Sequence, residues 1–149
     1  MTFQDNVVAV VLAGGEGKRL RPLSYYFQKC MIPIGNKQKP LLEYIIRFLR
    51  HHGITEVYLL ISYKHEQIEN YFGDGSRFGV NLIYEKDDPS MGGTGGALLN
   101  LYHKRLLGLQ GSILIYYGDI LSNLDLTEML TQHQKRKAAA TLALARGYQ

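Results

Sequence analysis

Cysteine is almost missing from this chain. Cys30 is the single one in 149 residues, which rules out an internal disulfide and points to a reducing compartment. Zinc is not indicated either, because the five histidines, at 51, 52, 65, 103 and 133, form no H-x-x-x-H pair and have no cysteine pair to join. No apolar run is long enough to span a bilayer: the first, Val7 to Leu12, is short and follows Asp5. Neither a membrane span nor a secretory leader is expected, and the chain reads as cytoplasmic. Internal repeats, low-complexity tracts and heptads are also lacking. Basic residues exceed acidic ones by 17 to 13, a net charge of +4, yet the excess gathers in the first forty positions and forms no tail. Small anionic ligands fit that distribution better than a nucleic-acid groove, so no specific nucleic-acid partner is expected.

What remains is ordinary globular material, 46% hydrophobic and 20% charged, enough for one domain spanning 1–149 with its own core. The informative stretch is Val7 to Arg21. Six apolar residues run directly into Gly14, Gly15 and Gly17, with Lys18, Arg19 and Arg21 just beyond. A buried strand feeding a glycine turn lets bare N–H groups approach a ligand, and the cations that follow favour phosphate. Two familiar phosphate loops are excluded. A Walker A loop would need glycine where Leu12 stands and a hydroxyl residue in place of Arg19, and a dinucleotide fingerprint would need its third glycine where Leu20 stands.

Along the chain, strands and helices alternate. Strands are predicted at Val7–Leu12, Glu56–Ile61, Val80–Glu85, Ser112–Tyr117 and Ala139–Ala145. Between them, Pro40 opens a helix whose Leu42, Ile45, Ile46 and Leu49 share one face. A short helix covers His65–Tyr71, another leaves the Lys86–Thr94 loop through Ala97, Leu98 and Leu101, and Asp125 with Glu128 forms a capping box for a fourth. Such alternation predicts an α/β fold, a mostly parallel Rossmann-like sheet with helices on both faces and ligands at the carboxyl ends of its strands.

The ordered run Leu12-Ala13-Gly14-Gly15-Glu16-Gly17-Lys18-Arg19-Leu20-Arg21-Pro22-Leu23, then Lys29, Met31 and Pro33, then Lys39-Pro40-Leu41, resembles the signature of the sugar-1-phosphate nucleotidyltransferases. Gly118-Asp119 after the fourth strand and Gly93 to Ala97 resemble two further motifs of that family. The resemblance implies attack of a sugar 1-phosphate oxygen on the α-phosphorus of a nucleoside triphosphate, with release of pyrophosphate. Such chemistry asks for positioning and charge neutralisation more than for a side-chain nucleophile. By resemblance, Arg19 grips the β- and γ-phosphates, Lys29 sits near the α-phosphate, and Asp119 holds Mg2+, although an aspartate after a glycine also serves commonly as a cap. Leu12, Ala13, Gly14, Gly15, Gly17, Lys18, Gly93 and Thr94 are then nucleotide-binding. Lys18 departs from the family's usual threonine and either adds a phosphate contact or points to water.

Asp88 joins this set. A carboxylate only accepts hydrogen bonds and so suits the adjacent ring and exocyclic donors of guanine, which favours a mannose-1-phosphate guanylyltransferase-like enzyme over a glucose-1-phosphate thymidylyl- or uridylyltransferase. Guanylyl transfer to molybdopterin shares the L-A-G-G opening but lacks the Gly93–Leu98 segment. Cys30 beside Lys29 is expected to be inert. The resemblance covers the N-terminal part of the family's catalytic domain, so the sugar-binding part and a second metal-ligating aspartate are expected to be absent. This leaves open a nucleotide-binding module without catalysis. A sheet cut there would leave the strand near Leu142 as an edge and favour homo-oligomers.

Overall fold

The computed structural model describes residues 7–86, 90–91, 93–104 and 111–145. Its centre is a four-stranded sheet made of β1 (Val7–Leu12), β4 (Glu56–Ile61), β5 (Asn81–Lys86) and β6 (Ser112–Tyr117). All of its pairings are parallel, and the order is β5-β4-β1-β6. Two residues each from β2 (Pro33–Ile34) and β3 (Lys39–Pro40) make a small antiparallel ladder outside it.

The helices divide between the two faces, as the alternation of strands and helices predicts. On one face α1 (Leu41–His51), α2 (His65–Phe72) and α4 (Leu126–Lys135) lie over Ala9 and Val11 of β1 and Val57, Leu59 and Ile61 of β4. On the other, α3 (Gly93–His103) sets Ala97 and Leu101 against Val10, Tyr58 and Leu60. A strand with cover on both sides has no need of polar alternation, which is why β1 and β4 read as continuous apolar runs. Leu42, Ile45, Ile46 and Leu49 of α1 are all buried, each contributing about 1.5–3 kcal/mol by leaving water. Pro40 stands just before α1 as its cap, one step outside the first turn. Asp125 accepts from the Glu128 N–H at 3.0 Å and starts α4 as its capping pattern predicts.

One predicted strand does not form. Residues 138–145 are irregular, and Leu142 and Leu144 are exposed. A strand exists through its ladder partner, and among the described residues this segment has none. It lies instead along a cavity of about 670 Å³ lined by Leu114, Tyr116 and Leu126, tied to α4 by the His133 Nδ1 to Thr141 Oγ1 contact of 2.9 Å. The edge next to β1 among the described residues is therefore β6, with Ile113, Ile115 and Tyr117 half-exposed. No helix among the described residues is long and apolar enough to cross a membrane.

Candidate active site

In the order β5-β4-β1-β6 the chain runs outward from β1 in one direction and then returns to add β6 on the other side. The reversal falls between β1 and β6, whose ends lie in register side by side, and in open α/β sheets ligands bind in the crevice outside the carboxyl ends at such a point. Both predicted motifs lie there. The glycine turn follows Leu12, and Gly118-Asp119 follows Tyr117, whose register partner is Leu12.

The turn is held from both sides. Ala13 is buried and donates its N–H to the Leu60 carbonyl at 2.8 Å, extending the β1–β4 pairing by one bond. Gly17 adopts φ 64° and ψ 38° before the short 3-10 turn Lys18–Leu20. A side chain there would meet Lys29 Cβ at 3.2 Å and Ser24 Cβ at 3.4 Å, so position 17 combines left-handed backbone with close approach, and only glycine serves both. Across the crevice the Gly118 N–H donates to the Leu12 carbonyl at 2.9 Å. An added Cβ at 118 would stand 2.9 Å from that carbonyl oxygen and 3.0 Å from Cys30 Sγ. Gly118→Ala is therefore expected to destabilise the protein by about 1–3 kcal/mol through displacement of Asp119 and the end of β6, measurable as a lowered urea midpoint.

Lys29 and Asp119, far apart in sequence, form an ion pair through Nζ and Oδ2. Their side chains are 26% and 31% exposed, so the pair sits at the mouth of the crevice and not in the core. Arg19 is exposed on the turn, and its guanidinium has no hydrogen-bond or ion-pair partner among the described residues. Lys18 pairs with Glu16 at 3.1 Å, with both side chains largely exposed. Leu12 and Gly14 are half-buried and Gly15 is exposed. Gly93 and Thr94 lie in the first turn of α3, earlier than the loop-to-helix boundary predicted from the glycine density. No hydrogen bond joins them to Lys29 or Asp119 among the described residues. Asp88 lies outside the described residues.

Cys30 is buried, and its thiol is pushed up to about 12, first by burial and then by the charge of Asp119, against the smaller opposing pull of Lys29. A buried thiol held that high presents little thiolate near neutral pH. Gln28, which no sequence pattern marks, is fully buried and hydrogen-bonded to the Ala13 carbonyl and the Cys30 N–H. Its first partner is 15 positions away and contributes only backbone.

For a divalent cation, the described residues offer no group of three or more acidic, histidine or cysteine side chains. One accessible carboxylate, Asp119, stands beside a turn suited to phosphate. That donor set fits Mg2+, which keeps several waters and is commonly shared between one or two carboxylates and substrate phosphates.

A parallel α/β sheet with this strand order, a glycine turn after its first strand and a lysine–aspartate pair at the reversal defines a domain of the nucleotide-diphospho-sugar transferase type. The chain belongs to the nucleotidyl transferase family, whose sequence profile matches residues 8–148. It is 40% identical over 136 residues to D-glycero-alpha-D-manno-heptose 1-phosphate guanylyltransferase of Aneurinibacillus thermoaerophilus, covering 91% of this chain and 56% of that protein. It is 35% identical over 142 residues to UTP--glucose-1-phosphate uridylyltransferase of Synechocystis, covering 90% of this chain and 36% of that protein. Among solved structures, HddC from Yersinia pseudotuberculosis complexed with GMP-PN superposes with a TM-score of 0.68 at 25% identity, covering 85% of this chain and 53% of that one. The chain thus spans between a third and three fifths of the length of these relatives.

Proposed function

We propose that this chain provides the nucleotide-handling part of an enzyme that transfers a nucleotidyl group from a nucleoside triphosphate to a sugar 1-phosphate. A sugar-phosphate oxygen forms a new bond to the α-phosphorus, the bond from that phosphorus to the bridging oxygen of the β-phosphate breaks, and pyrophosphate leaves with the electron pair. The observation that carries this reading is the meeting of Lys29 and Asp119 beside the glycine turn, at the point where strand order reverses.

Each side chain has a charge-matching role. The attacking phosphate is already an anion near neutral pH, so no general base is required, and the barrier lies in bringing anions together. Lys29 offsets charge at the α-phosphate. Arg19, with its planar fork unclaimed, grips two oxygens of the leaving pyrophosphate. Backbone N–H groups of Gly14 to Gly17 line the phosphate path, and Gly93 and Thr94 face the base. Asp119 would hold Mg2+, whose chemistry here is neutralisation of phosphate charge.

Guanosine is the base this reading favours, supported by the guanylyl relative and the GMP-PN complex and by the acceptor chemistry of Asp88. Mannose 1-phosphate or a related sugar phosphate is the acceptor, in the cytoplasm, with the protein self-associated. The test is pyrophosphate release from the chain with Mg2+, each of the four common triphosphates plus dTTP, and mannose or glucose 1-phosphate. Release with GTP above the others is the expected result. Release with UTP or dTTP instead would assign the base otherwise, and triphosphate binding without release would support a non-catalytic module, the second reading.

A further inference from the structure

We infer that Gln28 is a positioning residue for the phosphate site, locking Lys29 to the glycine turn through one buried amide; this rests on the function proposed above. Gln28 is fully buried and uses both ends of its side chain. Its Nε2 donates to the Ala13 carbonyl, where β1 gives way to the glycine turn, while its Oε1 accepts the Cys30 N–H at 2.6 Å and caps the 3-10 turn Lys29–Met31. A single rigid amide therefore fixes the distance between the segment that carries Arg19 and the turn that carries Lys29.

The amide is held in turn from outside. The Gln28 N–H donates to Gln67 Oε1 at 2.7 Å, and Gln67 Nε2 donates to the Tyr26 carbonyl at 2.8 Å. Lys64 Nζ adds a bond to the Tyr25 carbonyl. Residues 25–28 are thus gripped by the start of α2, a helix packed into the main core by Ile68 and Phe72. A loop that carries a long, flexible lysine gains precision from such support, since a cation displaced by about 1 Å loses much of its effect on a fixed charge.

A purely structural amide would lower stability and leave the contribution of Lys29 unchanged. A positioning amide acts through Lys29, so the two losses overlap. The experiment measures calorimetric affinity for Mg–GTP, with melting curves alongside, for the wild type, Gln28→Met, Lys29→Met and the double variant. Gln28→Met is expected to weaken binding about tenfold, because a Lys29 released from the amide no longer holds its ammonium in register with the phosphate oxygens. The double variant should then bind no more weakly than Lys29→Met alone. Wild-type affinity in Gln28→Met, or losses that multiply in the double variant, would overturn the inference. Should Gln28→Met not fold, Gln67→Met removes the outer grip while sparing the amide itself, and it must show a smaller loss that vanishes in the Lys29→Met background. An unchanged Gln67→Met would then overturn the inference. A wild type that binds no triphosphate at all sinks the nucleotide reading as well. A wild type that binds, with variants that do not respond, sinks this inference alone.

Discussion

Lys29→Met is expected to cut pyrophosphate release, or triphosphate affinity if turnover is absent, by about 10²–10³-fold while shifting the melting temperature little. The two readouts separate because of where the ion pair sits. With the side chains of Lys29 and Asp119 roughly a quarter to a third exposed, the pair contributes at most about 1 kcal/mol to folding, and Asp119 left alone can be solvated. The same cation facing phosphate oxygens is worth far more, because it acts where charge redistributes during the reaction. A large fall in stability with ligand binding intact would reverse this assignment and make the pair a structural contact. Arg19→Ala provides the companion measurement. With no partner among the described residues to lose, its stability should match the wild type.

The second large effect concerns stability. Glu43 is buried on α1, yet it accepts from Lys39 Nζ at 2.6 Å, Arg47 Nε at 2.7 Å and Tyr71 OH at 2.6 Å. Burial alone would raise its pKa, but the three donors outweigh that and hold the carboxyl at about 2 against an ordinary 4.5. A depressed carboxylate contributes stability that is complete above its unfolded pKa and drains away as pH falls through the folded one. The difference corresponds to about 3 kcal/mol. Glu43→Gln should therefore be less stable than wild type by about 2–3 kcal/mol at pH 7. The gap should narrow steadily between pH 5 and pH 2, as read from urea midpoints at each pH. A gap independent of pH would mean that packing, and not the charge, is what the substitution removes.

These two sites also show how differently sequence speaks about chemistry and about architecture. The crevice was legible because its parts are local: Gly14, Gly15 and Gly17 directly follow an apolar strand, and Gly118-Asp119 directly follows another. Burial on both faces explains why the runs at Val7 and Glu56 could be assigned without any alternation. Glu43 was not legible, since its partners come from β3, the same helix and α2, and Tyr71 lies 28 positions away. Gln28 was hidden for the same reason. The error at Ala139–Ala145 has another cause: apolar composition with a central threonine suits a strand, but a strand is decided by its neighbour, and composition says nothing of whether that neighbour exists. At α3, glycine density read as loop, whereas the packing of Ala97 and Leu101 against β1 and β4 carries the helix back to Gly93.

The lysine and aspartate that meet at the crevice lie 90 positions apart, with β4, β5 and β6 laid down between them. A ribosome must therefore lay down β4, β5 and β6 before the two can touch, and closing so long an excursion is among the slower events of assembly. A ligand gripping both residues would be blind to any half-built intermediate. Its capture would serve as a certificate that β6 had found its place.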